Sequence, residues 1–331
     1  MIGSPRVSVV IPTYRRRDAL RPTLEALARQ ELPASAYEVV VAIDGSEDGT
    51  RELVESFDAP YTLRSLWQPN GGRSSACNAG VREARAELIV VLDDDIEATP
   101  GLLAAHLRAH DGATNRAVMG AVRLVCDETA TPYVRHFAAH WDRKMAQLAT
   151  PGHAFRMIDF CTNNFSMHRE WFARTGGFDE SFRVYGHEDR ELFLRLRAAG
   201  VEVAFSAEAF ARHHYERPFS ELARDSVGRG RTAVLLARLH PALAGADPSE
   251  LGDLVPMQKM VDGRLAPNFV RDSLLVLSER VPRLPHGVAA LTEWWERRVP
   301  RLPPPLPFYR WAVQYYYWLG VRAALREASA P

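Results

Sequence analysis

The chain has 331 residues, with 41 basic and 41 acidic side chains and a formal net charge of zero. Its 47% hydrophobic and 25% charged residues describe a soluble globular protein and exclude a disordered or collagen-like one. Neutrality argues against a dedicated nucleic-acid binder, which carries a basic excess.

Lys144 and Lys259 are the only lysines, so arginine supplies the other 39 basic residues, a bias that reads as genome composition. Cys77, Cys126 and Cys161 are odd in number and far apart. Without a Cys-x-x-Cys pair they indicate neither a zinc knuckle nor a disulfide framework, and they suit a reducing cytoplasm. The apolar run at residues 7–12 is too short for a secretory core. The longest uncharged apolar stretch, residues 311–321, falls short of the ~20 residues of a membrane span. These features together predict a cytoplasmic protein.

Two periodicities alternate over the first hundred residues. The β-branched run Val7, Ser8, Val9, Val10, Ile11 predicts a buried strand stopped by Pro12. Asp18 is a candidate cap for a helix with Leu20, Leu24 and Leu27 on one face. A second buried strand is predicted at 39–43, a helix at 47–57 with Leu53, Val54 and Phe57 inward, and a weaker strand at 61–67. Asn70, Gly71 and Gly72 predict a turn, residues 74–86 a helix, and 88–92 a buried strand ending at Asp93, Asp94 and Asp95. Strands alternating with helices imply βαβ units and a largely parallel sheet. Continuous apolar strands imply cover on both faces. Ligands of such sheets bind at the carboxyl ends of the strands, which here carry Pro12-Thr13-Tyr14, Asp44-Gly45-Ser46 and the aspartate triplet.

Residues 118–215 give mixed signals, with strands predicted at 119–125 and 201–205 and a helix at 188–199 closed by Gly200. From about 216 the pattern turns helical. Residues 300–307 contain five prolines and must be extended or turn-like. The last helix, 308–327, is aromatic on most sides, with Trp311, Tyr315, Trp318, Leu319 and Arg322 defining one face and Val313, Tyr316 and Tyr317 widening it. Packing on the main domain or on a second subunit is its first reading. A peripheral contact with the inner face of the membrane is the minority one.

Three carboxylates at the end of a buried strand repel one another, and burial makes them costlier unless a cation neutralises them. If the segment is extended, Asp93 and Asp95 point the same way, a pattern that suits Mg²⁺ or Mn²⁺ shared with phosphate oxygens. Glu188 and Asp189 stand at a predicted helix start, which favours negative charge. His213 and His214 follow a strand-like segment.

The strand 7–14, Ile43-Asp44-Gly45-Ser46 with Asp48-Gly49-Thr50, the aspartate triplet, Gly176-Gly177-Phe178-Asp179-Glu180 and Gly186-His187-Glu188-Asp189 together resemble family 2 glycosyltransferases of the GT-A fold. The resemblance covers roughly residues 5–240. It implies a GT-A domain at 1–215, a helical C-terminal extension at 216–331, and inverting sugar transfer from a nucleotide-diphosphate donor, a UDP- or dTDP-sugar, to an acceptor hydroxyl. Pro12 and Tyr14 would line the base pocket and Asp44 would accept from the base. Asp93 and Asp94 would serve the donor nucleotide. Asp95 would ligate the metal, with His213 or its neighbour His214 on the metal side. Asp189 would be the catalytic base. Asn163, Asn164 and Glu188 would lie near donor or acceptor sugar. The family often has Ala-Arg-Asn where this chain has Ala76-Cys77-Asn78, so Arg73 becomes the candidate for the diphosphate. The acceptor class stays open among saccharide, lipid carrier, small molecule and protein. A catalytically silent nucleotide-sugar-binding protein is the competing reading. A dinucleotide oxidoreductase is disfavoured because no Gly-x-Gly-x-x-Gly follows the first strand.

Overall fold

A computed structural model describes residues 4–126, 130–215, 218–261, 264–265, 269–299 and 302–327. These divide into two compact units. The first comprises the chain up to Val125, Ala138–Arg183 and Glu188–His214; the second comprises Cys126–Phe137, Val184–His187 and the chain from Tyr215 onward.

The first unit is built on a mixed eight-stranded sheet. Its leading half alternates β1 (Val7–Thr13), α1 (Arg17–Leu27), β2 (Tyr37–Asp44), α2 (Thr50–Ser56), β3 (Thr62–Gln68), α3 (Arg73–Glu83) and β4 (Leu88–Leu92). These four strands are parallel, and every residue of β1, β2 and β4 is buried, as continuous apolar strands require. Leu20, Leu24 and Leu27 of α1 are fully buried against them. Two boundaries differ from the pattern. Asp18 does not cap α1, which begins at Arg17 and carries Asp18 in its first turn, where the helix dipole favours it. Residues 47–49 form a turn before α2, because Gly49 has φ +84° and the Asp48 carboxylate accepts from the Thr50 N–H and hydroxyl.

The second half adds β5 (Ile96–Ala98), α4 (Leu102–His110), β6 (Arg116–Val125), α5 (Pro132–Leu148), β7 (Asn164–His168), α6 (Arg169–Arg174), α7 (Glu188–Ala198) and β8 (Glu202–His214). The spatial order is β3-β2-β1-β4-β7-β6-β8-β5. β7 runs antiparallel between β4 and β6, while β8 lies parallel to β6 and antiparallel to β5.

β7 carries polar side chains into the interior, where α4 meets them. Asn164 Oδ1 lies 2.8 Å from His106 Nε2, His106 Nδ1 lies 2.8 Å from Ser166 Oγ, and Ser166 Oγ lies 2.9 Å from His110 Nε2. All four side chains are buried. Burial pushes both imidazoles down to about 4, whereas an unfolded histidine titrates near 6.5. The native rings therefore stay neutral while the unfolded ones take up protons. This contribution to stability is complete above about pH 6.5 and is lost as pH falls toward 4. For His106 alone the loss amounts to about 3 kcal/mol. A His106→Gln variant should be less stable than the parent at pH 7.5 but should lose less on acidification. Parallel urea-midpoint curves from pH 7.5 to 4 would contradict this account.

The second unit is helical, with α8 (Phe219–Leu239), α9 (Pro248–Leu251), a short β9 (Met260–Val261) and β10 (Arg264–Leu265) hairpin, then α10 (Phe269–Arg280), α11 (Leu284–Arg298) and α12 (Leu306–Glu327). α12 packs along α8 at near backbone contact. A Cβ on Gly230 would collide with the Tyr317 carbonyl, and one on Gly320 with the Val227 carbonyl. The buried positions of α12 include Tyr309, Ala312, Tyr316 and Gly320, and Trp311 is exposed. Of the predicted aromatic face, Tyr315, Tyr316 and Tyr317 are buried while Trp311 is exposed, because small residues permit the helix contact and aromatic ones cover its flanks. Of the proline-rich segment, Pro300 and Arg301 lie outside the described residues. Among the described residues no helix is long and apolar enough to cross a membrane.

Candidate active site

Parallel pairing places the carboxyl ends of β1, β2 and β4 side by side, where α/β sheets bind ligands. The antiparallel β7 starts at the same end. Leu92 pairs with Asn164, and the Asp93 N–H donates to the Asn163 carbonyl at 3.1 Å, which seats residues 161–163 beside the aspartate triplet.

At the first strand end, Pro12 is buried within β1, paired with Ala42, while Tyr14 just beyond it is exposed with the Arg15 guanidinium 5.2 Å from its ring. At the second, Asp44 is buried and carries four donors. Gln68 Nε2 (2.8 Å) and the Gly71 N–H (2.9 Å) reach Oδ1; Asn70 Nδ2 (3.1 Å) and the Gly72 N–H (2.9 Å) reach Oδ2. A carboxylate has about four acceptor positions, so Asp44 spends them on the 68–72 turn that leads into α3. Gly45 permits that turn: its φ is +78°, and a Cβ there would lie 2.9 Å from the Asn70 nitrogen.

The aspartate triplet is a turn, closed by the Ile96 N–H donating to the Asp93 carbonyl at 3.3 Å. This corrects the expectation of an extended segment with Asp93 and Asp95 on one side, for Asp93 turns to Arg73 while Asp94 and Asp95 share Arg16. Asp93 Oδ1 accepts from Arg73 Nη2 at 2.8 Å. Asp94 is buried, accepts from Thr13 Oγ1 at 2.7 Å and pairs with Arg16 Nε at 3.1 Å. Burial, with Asp95 and Asp93 nearby, raises its pKa to about 7 against the pull of Arg16 and Thr13. Asp95 Oδ2 meets Arg16 Nη2 at 2.5 Å and His213 Nε2 at 3.0 Å. The pairing of Ile96 with His213 across β5 and β8 fixes the last contact. His214 points elsewhere, to Glu97 at 2.8 Å, so of the two rings it is His213 that meets the triplet.

A second polar cluster adjoins the first. Arg73, at the start of α3, holds Asp93, donates to the Thr162 hydroxyl at 3.0 Å and to the Thr162 carbonyl at 3.1 Å, and lies 3.7 Å from Asp189 Oδ1. Thr162 in turn donates to Asp189. Burial raises the Asp189 pKa, while Arg73 and the Thr162 hydrogen bond oppose the rise. Glu188 is buried at the first position of α7.

Sequence reasoning places Asn164 against a sugar, and the structure corrects this. The side chain is fully buried, bonded to His106 and donating to the Ala209 carbonyl at 2.8 Å. The neighbouring Asn163 accepts at its Oδ1 from the Cys161 thiol at 3.4 Å. Thr13 is marked only as part of the first strand end, and Arg16 and Thr162 escape sequence reasoning. Three consecutive arginines just after the first strand end are the available sign of Arg16, whereas nothing local marks Thr162.

The pair Asp95–His213 offers an oxygen and an imidazole nitrogen beside one rung, that of Ile96 and His213. Among the described residues no group of three or more such side chains is present. Two protein ligands fit a divalent cation whose other positions are filled by phosphate oxygens and water, and do not fit a closed structural site.

Three comparisons bear on this arrangement. The profile described as Glycosyl transferase family 2 matches residues 8–176, just over half the chain, and that of the N-terminal domain of galactosyltransferase matches 143–217. A validoxylamine A glucosyltransferase of Streptomyces hygroscopicus subsp. jinggangensis is 34% identical over 231 residues, covering 62% of this chain and 54% of its own. The chain spans about half the length of this relative. An uncharacterized Bacillus subtilis glycosyltransferase is 25% identical over 336 residues, covering 83% of this chain and 84% of its own. In fold, the chain is similar to a Pyrobaculum calidifontis mannosyltransferase solved with GDP-Man and Mn²⁺ (TM-score 0.59, 18% identity, 99% and 89% coverage). It is also similar to S. aureus TarS solved with UDP-GlcNAc (TM-score 0.56, 17% identity, 98% and 92% coverage). The sheet order with its flanking helices is the GT-A arrangement, and the chain belongs to glycosyl transferase family 2.

Proposed function

We propose that the protein transfers a hexosyl group from a UDP- or dTDP-sugar to an acceptor hydroxyl, with inversion at the anomeric carbon and with a divalent cation. The observation that carries this reading is Arg73, whose guanidinium touches Asp93 on the donor side and lies 3.7 Å from Asp189 on the acceptor side. Both ends of a displacement thus converge on one strand-end site. Tyr14 would stack on the nucleobase, and the turn braced by Asp44 would shape the pocket floor. Asp95 and His213 would hold Mn²⁺ or Mg²⁺, which when bound neutralises charge gathering on the departing diphosphate. Asp189 would take the proton from the acceptor hydroxyl as its oxygen attacks from the face opposite the leaving group. The Streptomyces relative is named for validoxylamine A and for glucosyl transfer, so UDP-glucose or dTDP-glucose with a small polyhydroxylated acceptor is the pair to test first.

In a thermal-shift screen with Mn²⁺, UDP- or dTDP-hexoses should raise the melting midpoint and GDP-hexoses should not. The product formed from the active donor should carry the opposite anomeric configuration by NMR. A GDP-sugar preference would overturn the donor assignment, a retained anomer the mechanism. Donor binding with no transfer to any acceptor would favour a silent binding protein.

A further inference from the structure

We propose that Thr162 is the positioning residue of the base: its hydroxyl fixes the rotation of the Asp189 carboxylate and holds it ionised. The inference rests on the reading of Asp189 as base. Thr162 is fully buried and sits two residues before β7, at the strand end that carries Asp93. Its Oγ1 accepts from Arg73 Nη1 at 3.0 Å, and its carbonyl accepts from Arg73 Nη2 at 3.1 Å.

A guanidinium only donates, so the single hydroxyl hydrogen of Thr162 is directed away from Arg73 and onto Asp189 Oδ1. The direction of this hydrogen bond is therefore set by the surroundings. A donor of fixed direction favours the ionised carboxylate. It works with the Arg73 charge against burial and against the nearby Asp93 carboxylate. The charged and titratable groups facing Asp189 are Arg73 from α3, Asp93 from the turn after β4, and the buried thiols of Cys77 on α3 and Cys161 before β7, which burial keeps protonated. Arg73 stands 3.7 Å from Oδ1 and the Thr162 backbone also supports the carboxylate, so the hydroxyl is the close side-chain donor that ties Oδ1.

The test compares Thr162→Val and Thr162→Ser, with turnover read as UDP released from UDP-glucose in Mn²⁺. Valine keeps the volume and removes the donor; serine keeps the donor. Thr162→Val should lower kcat about 10- to 100-fold, the effect of losing a hydrogen bond to a charged group. The KM for UDP-glucose should be unchanged, and the acid limb of the kcat profile should move to higher pH. Thr162→Ser should recover most of the rate and return the limb. A Thr162→Val enzyme with parental kcat and an unmoved acid limb overturns the proposal. If the valine variant does not fold, Thr162→Ala takes its place, and a serine variant no better than alanine overturns the proposal equally. Asp189→Asn assayed alongside separates the two failures. Full activity in Asp189→Asn removes the base reading itself. An inactive Asp189→Asn beside a normal Thr162→Val removes only the role of Thr162.

Discussion

Asp189→Asn should lower kcat by about 10² to 10⁴-fold, the usual worth of a positioned general base, and leave the donor KM unchanged. Asparagine keeps the shape and still accepts from Thr162, so the variant isolates proton acceptance. Burial disfavours the charged carboxylate, so the amide should not destabilise the fold. In the parent enzyme the same burial moves the acid limb of kcat above the ordinary aspartate range. Activity is gained as pH rises through that raised pKa and lost below it. Normal turnover by Asp189→Asn, measured with the natural donor, would strike Asp189 from the reaction.

EDTA should abolish transfer, and Mn²⁺ or Mg²⁺ should restore it. Asp95→Asn should cost about 10³-fold in kcat, consistent with the several kcal/mol that a cation contributes to a developing anion. His213→Ala should raise the Mn²⁺ concentration needed for half-maximal rate. His214→Ala should not, because that ring is held by Glu97 and is more than half exposed. Arg16 bridges Asp94 and Asp95, so the variants should remain folded and the loss should be one of chemistry. Undiminished transfer in EDTA would dismiss the Asp95–His213 pair as a metal site.

The parallel half of the sheet was legible because its strands are uninterrupted apolar runs separated by helices with clear periodicity. Leu20, Leu24 and Leu27 fall where the spacing put them. β7 was not legible, since a strand reading Asn-Phe-Ser-Met-His looks half-exposed in isolation. It becomes a central strand only when His106 and His110, more than fifty residues earlier, supply hydrogen bonds to Asn164 and Ser166. The same non-local satisfaction explains why Asn164 was misplaced against a sugar. At the strand ends the acidic triplet announced itself, but whether it is extended or turned depends on the Asp93–Ile96 hydrogen bond, which no spacing rule reveals. Arg73, named only as a candidate for the diphosphate, turned out to join the two clusters, because α3 begins opposite the segment before β7.

Asp95 and His213 are distant in sequence yet stand beside one rung of a backbone ladder. Their separation is set by strand pairing, so insertions or deletions in the connecting segments need not disturb it. The contact between these two side chains is therefore a property of the sheet rather than of the loops.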